Sequence, residues 1–137
     1  MRVVIDTNVI VSALVTRSGN PARVVEAALH GEITAVLDHR TLREARDVLA
    51  RPVFATKHGV EPAWAQYVLD ALEDSSAVLD SVSPYVGPLP DESDRPFVEL
   101  ALAADAILVT GNTRHFPAET DVTVLTPAEL VALLAPR

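Results

Sequence analysis

The decisive stretch of the sequence is Arg2-Val3-Val4-Ile5-Asp6-Thr7-Asn8-Val9-Ile10. Its β-branched apolar run is typical of a strand that is buried on both faces of a sheet. Asp6 follows this run directly, at the carboxyl end of the predicted strand. In open α/β sheets, ligands bind beyond the carboxyl ends of the strands. Asp6 is therefore either a turn or helix-capping residue or the first member of a site.

The bulk composition narrows the class of protein. The chain has 137 residues, of which 49 % are hydrophobic, and no cysteine. This length predicts one domain, residues 1–137. No run reaches the ~20 apolar residues of a membrane helix, and Asp6 and Asn8 interrupt the N-terminal apolar segment too early for a signal peptide. Without cysteine there are no disulfides or thiolate metal sites, which is typical of a cytoplasmic protein.

Charge is distributed unevenly along the chain, and the formal net charge is −8. Several basic residues fall within residues 40–57, whereas residues 70–105 are acidic and contain Arg95 as their only base. Such an acidic chain attracts nucleic acid poorly as a whole. Two possibilities follow: a local basic face beside an acidic site filled by a cation, or a protein that binds no nucleic acid. By itself, the basic cluster is typical of a solvated helix face.

Strands and helices are predicted to alternate without an internal repeat. The predicted strands are residues 3–5, 33–37, 77–82, 106–109 and 123–125. The predicted helices are residues 20–30, 38 or 41 to 50, 63–73, 94–104 and 128–134. Residues 83–90, which hold three prolines and a glycine, are predicted to form a loop. This alternation predicts an α/β fold with a mostly parallel sheet covered by helices on both faces.

Glu44 is the second candidate acid. At 100° per residue, it lies at the margin of the apolar stripe of its predicted helix, while Asp47 points away from the stripe. A different role fits the same residue, because Thr41-Leu42-Arg43-Glu44 matches a capping box. The two roles are compatible, since capping needs only one carboxylate oxygen.

Asp94 is the third candidate, at the start of a helix that is apolar nearly all round. It shares a helix face with Phe97 and Ala101, and Glu99 projects about 140° away at 100° per residue. Capping the helix is the alternative role for an Asp in this position. Asp91, just upstream, is either an assisting acid or a solvated loop acid.

Polar residues also follow the buried strand that ends at Val109. Thr110 and Asn112 lie at its carboxyl end, around the turn residue Gly111.

The candidate acids would repel one another if they lay close together: two charges ~4 Å apart cost on the order of 4 kcal/mol at an effective dielectric constant of 20. Such a group needs shared protons or a hard cation. Oxygen ligands favour Mg²⁺ or Mn²⁺, and His39 and His115 are too isolated in sequence to indicate zinc.

An ordered set of short motifs carries a family resemblance over almost the whole chain. The motifs are Asp6-Thr7-Asn8-Val9-Ile10-Val11-Ser12-Ala13-Leu14; Leu42-x-Glu44-x-x-x-Val48-Leu49-x-Arg51-Pro52; Asp91-x-x-Asp94-x-x-Phe97-x-x-Leu100-Ala101; Leu108-Val109-Thr110-Gly111-Asn112; and Leu125-Thr126-Pro127-Ala128-Glu129. Together they resemble the PIN-domain family, and more closely its VapC-like branch of ribonuclease toxins from type II toxin–antitoxin pairs.

The resemblance implies a three-layer α/β/α sandwich and Mg²⁺- or Mn²⁺-dependent endoribonuclease activity. It implies Asp6, Glu44, Asp94 and Asn112 as catalytic residues, with Asp6, Glu44 and Asp94 as the metal ligands. Many members have a fourth acid where this chain has Asn112, which adds no charge and weakens a second metal site. Supporting positions are Asn8, Asp91 and Thr110. The resemblance also implies an RNA substrate, an antitoxin partner, a homodimer and a cytoplasmic location.

Other enzyme classes fit less well. A haloacid-dehalogenase-like phosphatase needs a second Asp where this chain has Asn8. A receiver domain needs a late lysine, whereas the only lysine is Lys57. Neither glycine-rich nucleotide-binding motif is present. The serious alternative is a PIN-like binding or interaction module with little turnover, which Asn112 and the acidic composition favour.

Overall fold

Five parallel strands form the central sheet of the computed structural model, which describes residues 1–136. The strands are β1 (Arg2–Ile5), β2 (Thr34–Leu37), β3 (Ala77–Val78), β4 (Ile107–Val109) and β5 (Val124–Leu125). Their order across the sheet is β3-β2-β1-β4-β5. β2 and β3 therefore lie on one side of β1, and β4 and β5 lie on its other side. The carboxyl ends of β1 and β4 therefore form the switch point at which open α/β sheets bind ligands.

Seven helices accompany the sheet in residues 1–136. They are α1 (Thr7–Val15), α2 (Asn20–Leu29), α3 (His39–Leu49), α4 (Pro52–His58), α5 (Pro62–Asp74), α6 (Arg95–Ala104) and α7 (Pro127–Leu134). None of the helices in this part of the chain combines the length and apolar character of a membrane span.

Two apolar cores lie on opposite faces of the sheet. Val3 and Ile5 of β1 pack with residues of α1, α2, α3, α5 and α7. Val4, between them, faces the other side and packs with Leu108 and the buried face of α6, including Phe97. Successive strand residues point to opposite faces, so one short apolar strand contributes to both cores. The predicted α/β fold with a parallel sheet between helical layers is confirmed.

The structure corrects several of the predicted boundaries. α1 was not predicted, because Val9, Ile10, Ala13 and Leu14 are all buried and leave no clear polar face. Pro52 was predicted to stop a helix, but it also begins α4. Proline is favourable at the first helical position, where its missing N–H would have no partner. β3 is only two residues long, shorter than the predicted strand at 77–82.

The loop before α6 is confirmed for residues 83–90 and is anchored to that helix. Arg95 Nη1 donates hydrogen bonds to the carbonyl oxygens of Tyr85 and Gly87, at 2.6 and 2.9 Å. The Tyr85 amide donates in turn to Glu99, at 2.8 Å. These contacts fix the approach of the chain to Asp91 and Asp94.

Candidate metal and catalytic site

Asp6 and Thr110 meet at the switch point between β1 and β4. The Asp6 amide continues the sheet by donating to the Val109 carbonyl at 3.0 Å. The buried Thr110 hydroxyl donates to Asp6 Oδ2 at 2.7 Å, and the Asn112 amide donates to the Thr110 hydroxyl oxygen at 3.0 Å. The turn after β4 therefore orients the carboxylate of Asp6. Burial raises the pKa of Asp6, and the hydrogen bond from Thr110 partly opposes this effect.

Glu44 lies beside Asp6 and does not cap its helix. The predicted capping box at Thr41–Glu44 is wrong, because Asp38 accepts the amides of Arg40 and Thr41, both at 3.0 Å. Glu44 Oε2 instead accepts a hydrogen bond from the Thr7 hydroxyl at 3.0 Å. Burial raises the pKa of Glu44, and the negative charge of Asp6 adds to that rise.

Asp94 is the third carboxylate of this group. It is 8 % exposed and ends the 3₁₀ turn Glu92–Asp94 before α6. Its side chain makes no capping hydrogen bond to α6, so the capping alternative is wrong. Burial raises the pKa of Asp94 to about 6, with further contributions from the charges of Asp6 and Asp91. The side chain thus faces the other acids.

His115 lies beside Asp94, although the two residues are far apart in the sequence. Asp91, Asp94 and His115 offer ligand atoms that all lie within 4.8 Å of one another. His115 Nδ1 lies 3.1 Å from Asp94 Oδ2. A 3₁₀ turn, Thr113–His115, follows β4 closely, and the buried Phe116 fixes its end in the core. The sequence offered one signal for this position: a histidine only six residues beyond a buried strand end.

Asp91, Asp94 and His115 form a group of side chains that could bind a metal ion. Burial raises the pKa of Asp6, Glu44 and Asp94, and the negative charge of Asp6 adds to the rise for Glu44 and Asp94. Carboxylate oxygens are the preferred ligands of Mg²⁺ and Mn²⁺.

Comparison with known proteins gives the family. A model of the PIN domain matches residues 2–114. The chain belongs to the PIN-domain family. This match confirms the resemblance inferred from the motifs.

This PIN domain is similar in sequence to one protein and in fold to several solved structures. It is 27 % identical over 112 residues to the uncharacterized protein MJ1680 of Methanocaldococcus jannaschii, covering 82 % of this chain and 71 % of that protein. Its fold is similar to that of PAE2754 from Pyrobaculum aerophilum, with a TM-score of 0.63 and 19 % identity over 100 % of this chain and 91 % of the other. It is also similar in fold to VapBC2 from Rickettsia felis, solved with a DNA fragment from their promoter, with a TM-score of 0.61 and 16 % identity over 92 % and 98 % of the two chains.

Asn8, predicted as a supporting residue of the PIN domain, and Asn112, predicted as a catalytic one, lie at the same sheet edge. Asn8 Oδ1 accepts a hydrogen bond from the Gly111 amide at 3.4 Å, which links α1 to the turn after β4. Asn112 is exposed on that turn and contacts Thr110 through its backbone amide. The family motifs are thus joined through hydrogen bonds among residues far apart in sequence.

Proposed function

We propose that this PIN domain is an endoribonuclease that depends on Mg²⁺ or Mn²⁺ and acts as the toxin of a type II toxin–antitoxin pair. The single observation that carries the proposal is the grouping of Asp6, Glu44 and Asp94 at the switch point of a parallel sheet. Family membership supports it, because metal-dependent nucleases are typical of PIN domains.

Asp6, Glu44 and Asp94 would hold the metal ion. When bound, such an ion stabilises negative charge on the reacting phosphate and acidifies a water molecule. Thr110 and Thr7 orient Asp6 and Glu44 through their hydroxyl groups, which limits the motion of both carboxylates. Asn112 can orient water through its carbonyl oxygen but supplies no charge. The burial of Asp6 and Asp94 strengthens their interaction with a cation.

The basic residues separate into two kinds. Arg46 is held by Asp70 and Glu73, at 2.7 and 3.2 Å. Arg95 binds Glu92 and loop carbonyls. Arg43 and Arg114 are exposed, and neither forms an ion pair within residues 1–136. Arg114 adjoins His115, so we assign Arg114 the main contact with the RNA backbone.

The toxin assignment is supported by similarity in fold to a VapBC complex. We infer an antitoxin as protein partner and a homodimer as the assembly. An RNA-cleaving toxin acts where RNA is, so the proposed location is the cytoplasm. Co-expression with a small DNA-binding protein encoded beside this chain tests the pairing: co-purification and loss of cleavage support it, and free, active nuclease contradicts it.

The nuclease assignment is tested with purified single-stranded RNA, Mg²⁺ or Mn²⁺, and the variants Asp6→Asn and Asp94→Asn. Both are expected to lose roughly 100-fold or more of the cleavage rate, because metal ions supply several kcal/mol of transition-state stabilisation. Asp47→Asn is the matched control, since Asp47 is exposed on α3. Circular dichroism confirms that all variants are folded. Full activity in either site variant, or unchanged activity in EDTA, would refute the proposal.

A binding module with little turnover is the second candidate, and Asn112 favours it. In that case Mn²⁺ binds the wild-type protein and Asp6→Asn loses binding, yet no RNA is cleaved. Isothermal titration of Mn²⁺ followed by the cleavage assay separates the two functions.

A further inference from the structure

Two loops bring a nitrogen donor to the acidic site. Asp91 and Asp94 come from the segment before α6, and His115 comes from the 3₁₀ turn after β4. One ligand atom from each of the three lies within 4.8 Å of the other two. Acids alone would be an ordinary surface feature, but an imidazole at this distance makes a mixed oxygen and nitrogen donor set.

Both loops hold their donors in place. Asp91 Oδ1 accepts hydrogen bonds from the Ser93 amide at 2.9 Å and the Ser93 hydroxyl at 2.7 Å. Asp91 Oδ2 has no hydrogen-bond partner within residues 1–136 and stays available as a ligand. The His115 amide donates to the Asn112 carbonyl at 3.0 Å, and the next residue, Phe116, is buried. The His115 side chain itself is 40 % exposed, so an ion can reach it.

The turn after β4 therefore carries His115, whose imidazole offers a nitrogen ligand beside the two acids. Imidazole is a good ligand for first-row transition metals, whereas Mg²⁺ prefers oxygen and retains its waters. We propose that His115 is a nitrogen ligand of the divalent ion, together with Asp91 and Asp94, and that it makes this site select Mn²⁺ over Mg²⁺. This inference rests on the metal site of the proposed function and adds two ligands, Asp91 and His115, and a metal preference to it.

The test is electron spin-echo spectroscopy of bound Mn²⁺, which detects a coordinated imidazole nitrogen directly. The protein is prepared without a histidine tag, as wild type, His115→Gln and His30→Gln. His30 is the matched control, because it is exposed at the end of α2, away from the carboxyl edge of the sheet. Wild type and His30→Gln are expected to show nitrogen coupling, and His115→Gln is expected to lose it.

Affinity gives a second readout. His115→Gln is expected to weaken Mn²⁺ binding about tenfold or more, as loss of a metal-site partner commonly does, while Mg²⁺ binding changes by less than about twofold. A residue that only orients Asp94 through a hydrogen bond would alter both ions alike and would give no nitrogen coupling in any variant. Thermal unfolding of the three proteins without metal confirms that the fold is intact.

The outcomes separate this inference from the proposed function. Mn²⁺ bound to wild type without nitrogen coupling, or coupling that persists in His115→Gln, overturns the role of His115. RNA cleavage that depends on Asp6 would then still support the nuclease through an oxygen-only site. If wild type binds no Mn²⁺ at all, both the ligand assignment and the metal-dependent nuclease are wrong.

Discussion

Asp94 is a buried acid whose ionisation lowers the stability of the folded protein. The residue is buried, faces two other acids, and has a pKa raised to about 6. The folded, metal-free protein therefore binds a proton at Asp94 more tightly than the unfolded chain does. The free energy of unfolding falls as the pH rises from the ordinary pKa of 3.8 through about 6, and the penalty is complete above that range.

The variant Asp94→Asn removes this penalty while keeping the shape of the side chain. We expect it to stabilise the metal-free protein by about 1–2 kcal/mol at about pH 7.5 and by clearly less at about pH 5. Chemical unfolding in EDTA at the two pH values measures the effect. Added Mn²⁺ should reverse the order, because an ion that binds only the folded state stabilises wild type by mass action. An equal gain at both pH values contradicts the account.

Arg114 and Arg46 give a paired prediction about RNA binding. Arg114→Gln is expected to weaken RNA binding and to reduce its salt dependence by about one phosphate contact, since one phosphate contact contributes one charge. Arg46→Gln should leave RNA binding unchanged, because Arg46 is held by Asp70, Glu73 and Gln66. Binding to a noncleavable single-stranded RNA at several salt concentrations measures both. A larger loss in Arg46→Gln than in Arg114→Gln reverses the assignment.

At the level of elements, one ionic cluster ties α3 to α6. Arg40 binds Asp38 at 2.7 Å and Glu99 at 2.6 Å, and both acids are almost fully buried. Asp38 also caps α3, which leaves Glu44 free to face Asp6. The sequence placed the start of this helix at either 38 or 41. A start at residue 41 would make Thr41 and Glu44 a capping box. The helix is instead capped by Asp38, so the predicted capping box was wrong.

Removing Arg40 should loosen this connection. Arg40→Ala leaves two buried carboxylates without their cation and is expected to destabilise the protein by about 2–3 kcal/mol, below the range for a fully buried pair because Arg40 is 35 % exposed. The control is Arg23→Ala, which breaks the exposed pair with Glu32 and should cost much less, because water screens that pair. Urea unfolding of both variants gives the comparison. Equal costs would show that the Arg40 cluster adds nothing beyond a surface ion pair.

At the level of the whole molecule, the order of strands explains why Asp6 and Thr110 lie side by side. The sequence predicted strands ending just before Asp6 and Thr110, and parallel strands place such ends at one edge. Strand ends placed Asp6 beside Thr110, and helix periodicity placed Glu44 at the margin of its apolar stripe, but the role of both acids in a metal site stays a prediction. That the chain forms a single domain over residues 1–137 stays a prediction.

His115 and α1 could not be predicted in the same way. The geometry of the 3₁₀ turn after β4 depends on Phe116 entering the core beneath α6, which is a tertiary contact. α1 is buried over most of its surface, so the polar and apolar periodicity that reveals a helix is weak there. A histidine that is isolated in the sequence, such as His115, can therefore still lie beside Asp94 in the fold.

The central claim is that Asp6, Glu44 and Asp94 share one divalent ion. Anomalous X-ray diffraction from crystals grown with Mn²⁺ tests it most directly, because the scattering locates manganese without reference to activity. The account predicts an anomalous peak between these carboxylates, in direct contact with oxygens of Asp6 and Asp94. Manganese bound only elsewhere, or no peak at the carboxyl edge of β1 and β4 at saturating Mn²⁺, would contradict it.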